Sequence, residues 1–168
     1  MAAAPAPLVR VVRSGLEESV HLGDVAVCDA SGRLVASVGD PDRQAFIRSS
    51  TKPVQGAVSI DAIGTDIGLP ERLVAIVCAS HNGEPVHIRA VRDLLRRGGL
   101  GVRDLRTPPA RPMDPMSARR VSRATPLYHG CSGKHAGMLA LARFNGWPIG
   151  GYETARMRLS ASRRSRMP

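Results

Sequence analysis

The first forty residues carry short β-rich runs broken by turn residues, and most of the remaining chain carries apolar positions at helical spacing. Residues 8–13 (LVRVVR) alternate weakly and predict a strand. Residues 19–29 and 33–38 flank Asp29-Ala30-Ser31-Gly32, a hairpin signal. Residues 39–43 predict a loop. Ser49-Ser50-Thr51-Lys52-Pro53 then opens a helix, because hydroxyl residues cap helix starts and Pro is tolerated in the first turn. Residues 73–80 (LVAIVCAS) predict a short buried helix or strand, closed by Ser80-His81-Asn82-Gly83. Glu84-Pro85 opens a helix over 86–97 with Val86, Ile88, Val91, Leu94 and Leu95 on its apolar side, and Gly98-Gly99 stops it. Residues 100–116 contain four Pro and predict a surface connection; residues 117–124 predict a short polar helix or loop. A Gly-punctuated turn from Tyr128 to His135 opens a last helix over 136–144, with Trp147-Pro148 just past its end.

Composition narrows the class. The chain has 168 residues, of which 43% are hydrophobic, an ordinary globular value once Gly is added. No apolar stretch approaches the roughly 20 residues that span a bilayer, and the first residues lack a secretory core. Three unevenly spaced Cys make no disulfide framework, so a reducing cytoplasm is the expected location. The net charge is +10, half of it from the five Arg of residues 154–168. Aromatic residues are too few and scattered for a base-stacking platform, so no specific nucleic-acid function is expected. Of 24 basic residues only Lys52 and Lys134 are lysine. Guanidinium never deprotonates in proteins whereas an amine can, so the two lysines point to places where arginine would not serve.

Three constellations could carry chemistry. Ser49-x-x-Lys52 places a hydroxyl and an amine on one face of a helix start, where an uncharged Lys could take the serine proton; Ser49 or Ser50 as a plain N-cap is the alternative. Ser80-His81-Asn82-Gly83-Glu84 resembles the Ser-x-Asn element of serine β-lactamases and penicillin-binding proteins, or is a simple turn. The Lys-Thr/Ser-Gly element of that pattern is absent. Cys131-Ser132-Gly133-Lys134-His135 could supply half of a metal site, or open a helix around a buried Cys. Cys28 and Cys78, inside apolar runs, read as core residues.

Taken together, three blocks resemble the rhizobial-type L-asparaginases. They are Phe46-Ile47-Arg48-Ser49-x-x-Lys52-Pro53-x-Gln55, Cys78-Ala79-Ser80-His81-Asn82-Gly83-Glu84-Pro85-x-His87, and His129-Gly130-Cys131-Ser132-Gly133-Lys134-His135-Ala136-Gly137-Met138. The likeness covers residues 8–153. It implies hydrolysis of the small-molecule substrate L-asparagine to L-aspartate and ammonia. It also implies a mixed α/β (α+β) fold similar to the serine β-lactamases and glutaminases, and a homodimer. By the resemblance, Ser49 is the nucleophile, Lys52 its base and Ser80 a second active-site serine whose lysine partner comes from later in the family sequence. Cys131 and Lys134 would be two ligands of a zinc ion, with Arg48 and His81 binding substrate. Family members are about twice as long. The division expected is an incomplete asparaginase domain over 1–153 and a disordered Arg/Ser-rich tail over 154–168, which reads like a frame change. Other readings are a non-catalytic fragment, a β-lactamase-like serine acyl transferase, and a basic nucleic-acid binder whose binding depends on that tail.

Overall fold

A computed structural model describes residues 4–67 and 69–153 of the chain. The tail expected over 154–168 lies outside the described residues. The structure is mixed α and β, and it divides into two compact units, residues up to Ile47 and residues from Arg48 onward.

The first unit contains two antiparallel ribbons. Strand β1 (Ala6–Arg13) pairs with β2 (Leu16–Gly23), and β3 (Val25–Cys28) pairs with β4 (Leu34–Val38). The β3–β4 hairpin is the predicted one, and Asp29 holds its turn by accepting from the backbone N–H groups of Ser31 and Arg33, both at 3.0 Å. The β1–β2 hairpin has no counterpart in the sequence pattern. Its turn is Ser14-Gly15, both at positive φ, as a two-residue hairpin turn requires. The apparent run over 19–29 is broken at Asp24, whose carboxylate accepts from Asp40 N–H at 2.7 Å and pairs with Arg43. Both faces of the ribbons leave aliphatic side chains exposed, among them Val12, Leu16, Leu22 and Val35. Cys28 is exposed as well, not a core residue as its apolar neighbours suggested.

The second unit is helical. It comprises α1 (Lys52–Ile67), α2 (Glu71–Cys78), α3 (Pro85–Arg97), the short α4 (Pro115–Arg119) and α5 (Ser132–Phe144). Helix α5 is buried on nearly every side, through Ser132, Gly133, Ala136, Gly137 and Leu139 to Ala142, and α1, α2 and α3 pack around it. Small residues make the close approach possible. A side chain on Gly133 would run into the Ile76 carbonyl of α2, one on Gly137 into Val77, and one on Gly56 of α1 into Cys78. The main core joins Leu73, Ile76 and Val77 of α2 to Val91, Leu94 and Leu95 of α3 and Leu139 of α5. Each such side chain contributes roughly 1.5–3 kcal/mol by leaving water.

Two expectations change here. Val86 sits in the first turn of α3 and faces solvent, outside the stripe its spacing suggested. Residues 100–116 are not a mere surface connection. Leu105, Thr107 and Pro112 are buried, and the segment is tied down by Arg106 N–H donating to Tyr152 OH at 3.0 Å and Thr107 O–H to Pro126 O at 2.8 Å. Among the described residues no helix is long and apolar enough to cross a membrane.

Candidate active site

Lys52 is the first residue of α1, and it lies on that helix's buried stripe with Gly56, Ser59 and Ile63. Only 3% of it is exposed, and its Nζ donates to Ser80 Oγ at 2.5 Å. Ser80 follows α2 by two residues and is itself exposed. A buried amine therefore meets a hydroxyl that solvent can reach. Ser49 and Arg48 sit on the 3-10 turn just before α1, both exposed, and Arg48 has φ +48°, a left-handed backbone uncommon outside glycine. Among the described residues no hydrogen bond joins Ser49 to Lys52.

The loop bearing Ser80 is fastened on two sides. Asn82 O accepts from Met113 N–H at 2.8 Å and Asp114 N–H at 3.0 Å. On the other side His81 N–H donates to Gly130 O at 3.1 Å. Gly83 has φ +81° and its Cα faces Pro112, where any side chain would collide with backbone.

His81 is 3% exposed and its proton can be placed. Gly83 N–H donates to Nδ1 at 3.1 Å, so in the neutral ring the hydrogen is on Nε2, which reaches Ser132 Oγ at 2.8 Å. Ser132 in turn donates to Leu127 O at 2.9 Å. Burial, reinforced by the charges of His87, His129 and Lys52, pulls the His81 pKa down to about 4. His135 is also pulled down to about 4, by burial first and then by Lys134, and its Nδ1 lies 2.8 Å from Tyr152 OH. His129 is lowered by burial and by both lysines, and its Nδ1 accepts from Cys131 N–H at 3.1 Å. The rings of His81 and His87 stack with centroids 5.5 Å apart. Both lysines of the chain and four of its five histidines thus gather around the start of α5, whereas every ion pair among the described residues is made by an arginine.

The buried ring of His81 makes stability depend on pH. The folded form holds it neutral down to about pH 4, while the unfolded chain protonates it below its ordinary 6.5. Below 6.5 the unfolded state binds more protons, so stability is full above that value and is lost as the pH falls towards 4. The loss from His81 alone is about 3 kcal/mol. His129 and His135 act in the same direction. Urea unfolding should show this fall between about pH 7 and pH 4; a flat profile across that window would contradict the buried neutral ring.

The sequence matches the L-asparaginase II family over residues 9–166. The chain belongs to the L-asparaginase II family. None of the curated proteins matches it. Within this asparaginase-family chain the match runs on to residue 166, past Glu153, where the resemblance carried by the three sequence blocks stops.

The structure brings Lys52, Ser80 and His81 of the expected site residues into one hydrogen-bonded neighbourhood, with Cys131 and Lys134 half-buried on the adjoining start of α5. It leaves Ser49 and Arg48 at the surface, one turn ahead of Lys52. It adds Ser132 and Tyr152, to which no sequence motif assigns a role, and places Gly83 in its turn and His129 beside the cluster. The expected zinc is not completed by these residues. Among the described residues no three His, Cys, Asp or Glu side chains are grouped to hold a metal. The ring of His81 is committed elsewhere, with Gly83 N–H on Nδ1 and Ser132 Oγ on Nε2.

Proposed function

We propose that the chain hydrolyses the side-chain amide of L-asparagine, giving L-aspartate and ammonia, with a serine hydroxyl activated by Lys52. The observation that carries this reading is the 2.5 Å hydrogen bond between the buried Lys52 amine and the exposed Ser80 hydroxyl. Opening an amide requires a hydroxyl oxygen to bond to the carboxamide carbon while its proton passes to a base. The same amine then returns the proton to the departing nitrogen, which leaves as ammonia, and water hydrolyses the resulting ester. An amine at position 52 can do both jobs, and Arg could not.

Ser49 is the nucleophile named by the resemblance, and Ser80 the hydroxyl through which Lys52 is held. The same resemblance carries the finer assignments: the rhizobial subtype, a serine β-lactamase-like fold, a homodimer and a substrate contact from Arg48. The cytoplasmic location rests on the cysteine pattern, and His81, named as a second substrate contact, instead has both ring nitrogens bonded inside the protein. Zinc belongs to the proposal only as an ion that Cys131 and Lys134 would hold, and no step of the hydrolysis runs through it.

Ammonia release from asparagine and from glutamine by the purified full chain tests the reading. Ser49→Ala should remove turnover, and Ser80→Ala should lower kcat by about 10²-fold. Turnover that survives Ser49→Ala but not Ser80→Ala would move the nucleophile to Ser80. A folded wild-type chain that releases no ammonia from either amide, and does not react with a labelled β-lactam, would leave the non-catalytic reading.

A further inference from the structure

We infer that Ser132 is a positioning residue for Ser80, its buried hydroxyl fixing the loop that carries Ser80 against the start of α5. The inference rests on the proposed function, in which Ser80 works with Lys52 in amide hydrolysis. Ser132 is the first residue of α5 and has no exposed surface. Its hydroxyl does two things at once, accepting from His81 Nε2 at 2.8 Å and donating to Leu127 O at 2.9 Å. His81 then accepts Gly83 N–H on its far nitrogen, so one unbroken line of hydrogen bonds runs from Gly83 through His81 and Ser132 to Leu127.

That line crosses between two segments far apart in sequence. Residues 80–83 hold the reactive hydroxyl; residues 127–132 hold the turn into α5. Backbone alone makes one bond between them, His81 N–H to Gly130 O. Without Ser132 Oγ, the His81 Nε2–H and the Leu127 carbonyl would both lose a partner inside the protein, where an unmet donor or acceptor is costly. The ring would have to turn or the loop to lift, and Ser80 adjoins it. Hydrogen-bonded catalytic groups tolerate little displacement: about 1 Å can cost 10²-fold in rate. Ser132 itself is wholly enclosed and does not meet a substrate, so its effect should fall on kcat and leave KM unchanged.

The experiment compares the wild-type full chain with Ser132→Ala and Ser132→Cys, reading kcat and KM for asparagine and the hydrogen exchange of the His81 and Gly83 amides. We expect S132A to exchange those amides at least about tenfold faster and to lose about tenfold to 10²-fold in kcat at constant KM. S132C, with a weaker donor and acceptor of similar shape, should recover part of both. Unchanged exchange in folded S132A overturns the inference, as does faster exchange with wild-type kcat. If S132A does not fold, S132C carries both readouts: an intermediate fall in each supports the inference, and no fall overturns it. Failure of the wild-type chain to hydrolyse asparagine would instead remove the proposed function, with the clamp then judged on amide exchange alone.

Discussion

Replacing Lys52 with Met lowers kcat for asparagine hydrolysis by about 10³-fold, with the protein still folded. The methionine stem fills nearly the same space in the buried stripe of α1, so what is lost is the Nζ that meets Ser80 Oγ. Stability should hold or rise slightly, because exchanging a buried charged or polar group for an apolar one of similar volume is often neutral or favourable. That opposition, activity lost and stability kept, separates a catalytic amine from one that merely supports the fold. Lys52→Arg should not restore turnover, since guanidinium will not take a proton from serine. Ammonia release at saturating asparagine, measured beside a denaturant melt, gives both quantities. Turnover within a few-fold of wild type in a folded Lys52→Met protein would end the Ser-Lys mechanism.

The second large effect is on the fold. Gly133→Ala should destabilise the protein by about 3 kcal/mol, at the upper end for a small residue enlarged in a packed interior. Its new methyl would meet the Ile76 carbonyl of α2, with Ile76 Cγ1 at 2.8 Å as well. The nearest obstacle is backbone, which cannot swing away as a side chain could, so α2 and α5 must separate. Since α2 ends two residues before Ser80, the separation also draws Ser80 off Lys52, and activity should fall with stability. Gly150→Ala is the control: nothing lies within 4 Å of the added methyl, and its stability should change by under about 0.5 kcal/mol. Denaturant midpoints of the two variants make the comparison.

Much of the helical unit is legible in the sequence, for reasons specific to each element. Helix α3 is readable because Val91, Leu94 and Leu95 recur at helical spacing between a Pro start and a Gly-Gly stop, and those three residues are buried. Helix α1 is readable only at its start. Among its described side chains the buried face is Lys52, Gly56, Ser59 and Ile63, a stripe with one large apolar residue, so hydrophobic periodicity could not say which side turns inward. The β1–β2 hairpin escapes for a related reason: residues 19–29 look continuous, and only the distant partners of Asp24 show why the chain turns there.

For the site, residue type carried further than pattern. The scarcity of lysine pointed to Lys52 and Lys134, and both lie beside the histidine cluster. Spacing suggested Ser49 as the neighbour of Lys52, while the hydrogen bond runs across 28 positions to Ser80, a pairing that depends on the packing of α1 against α2. Ser132 gave no signal of its own. A serine at a helix start has many ordinary uses, and only the ring of His81 beside it reveals a particular one.

The two-lysine composition has a practical reach. Isotope-labelled methyl groups placed on the side-chain amines would yield just two ε-signals, one for each lysine at this cluster. Any compound that binds at the cluster, or any change in protonation there, would then be visible by NMR without a substitution in the sequence, against an arginine-covered surface that stays spectroscopically silent.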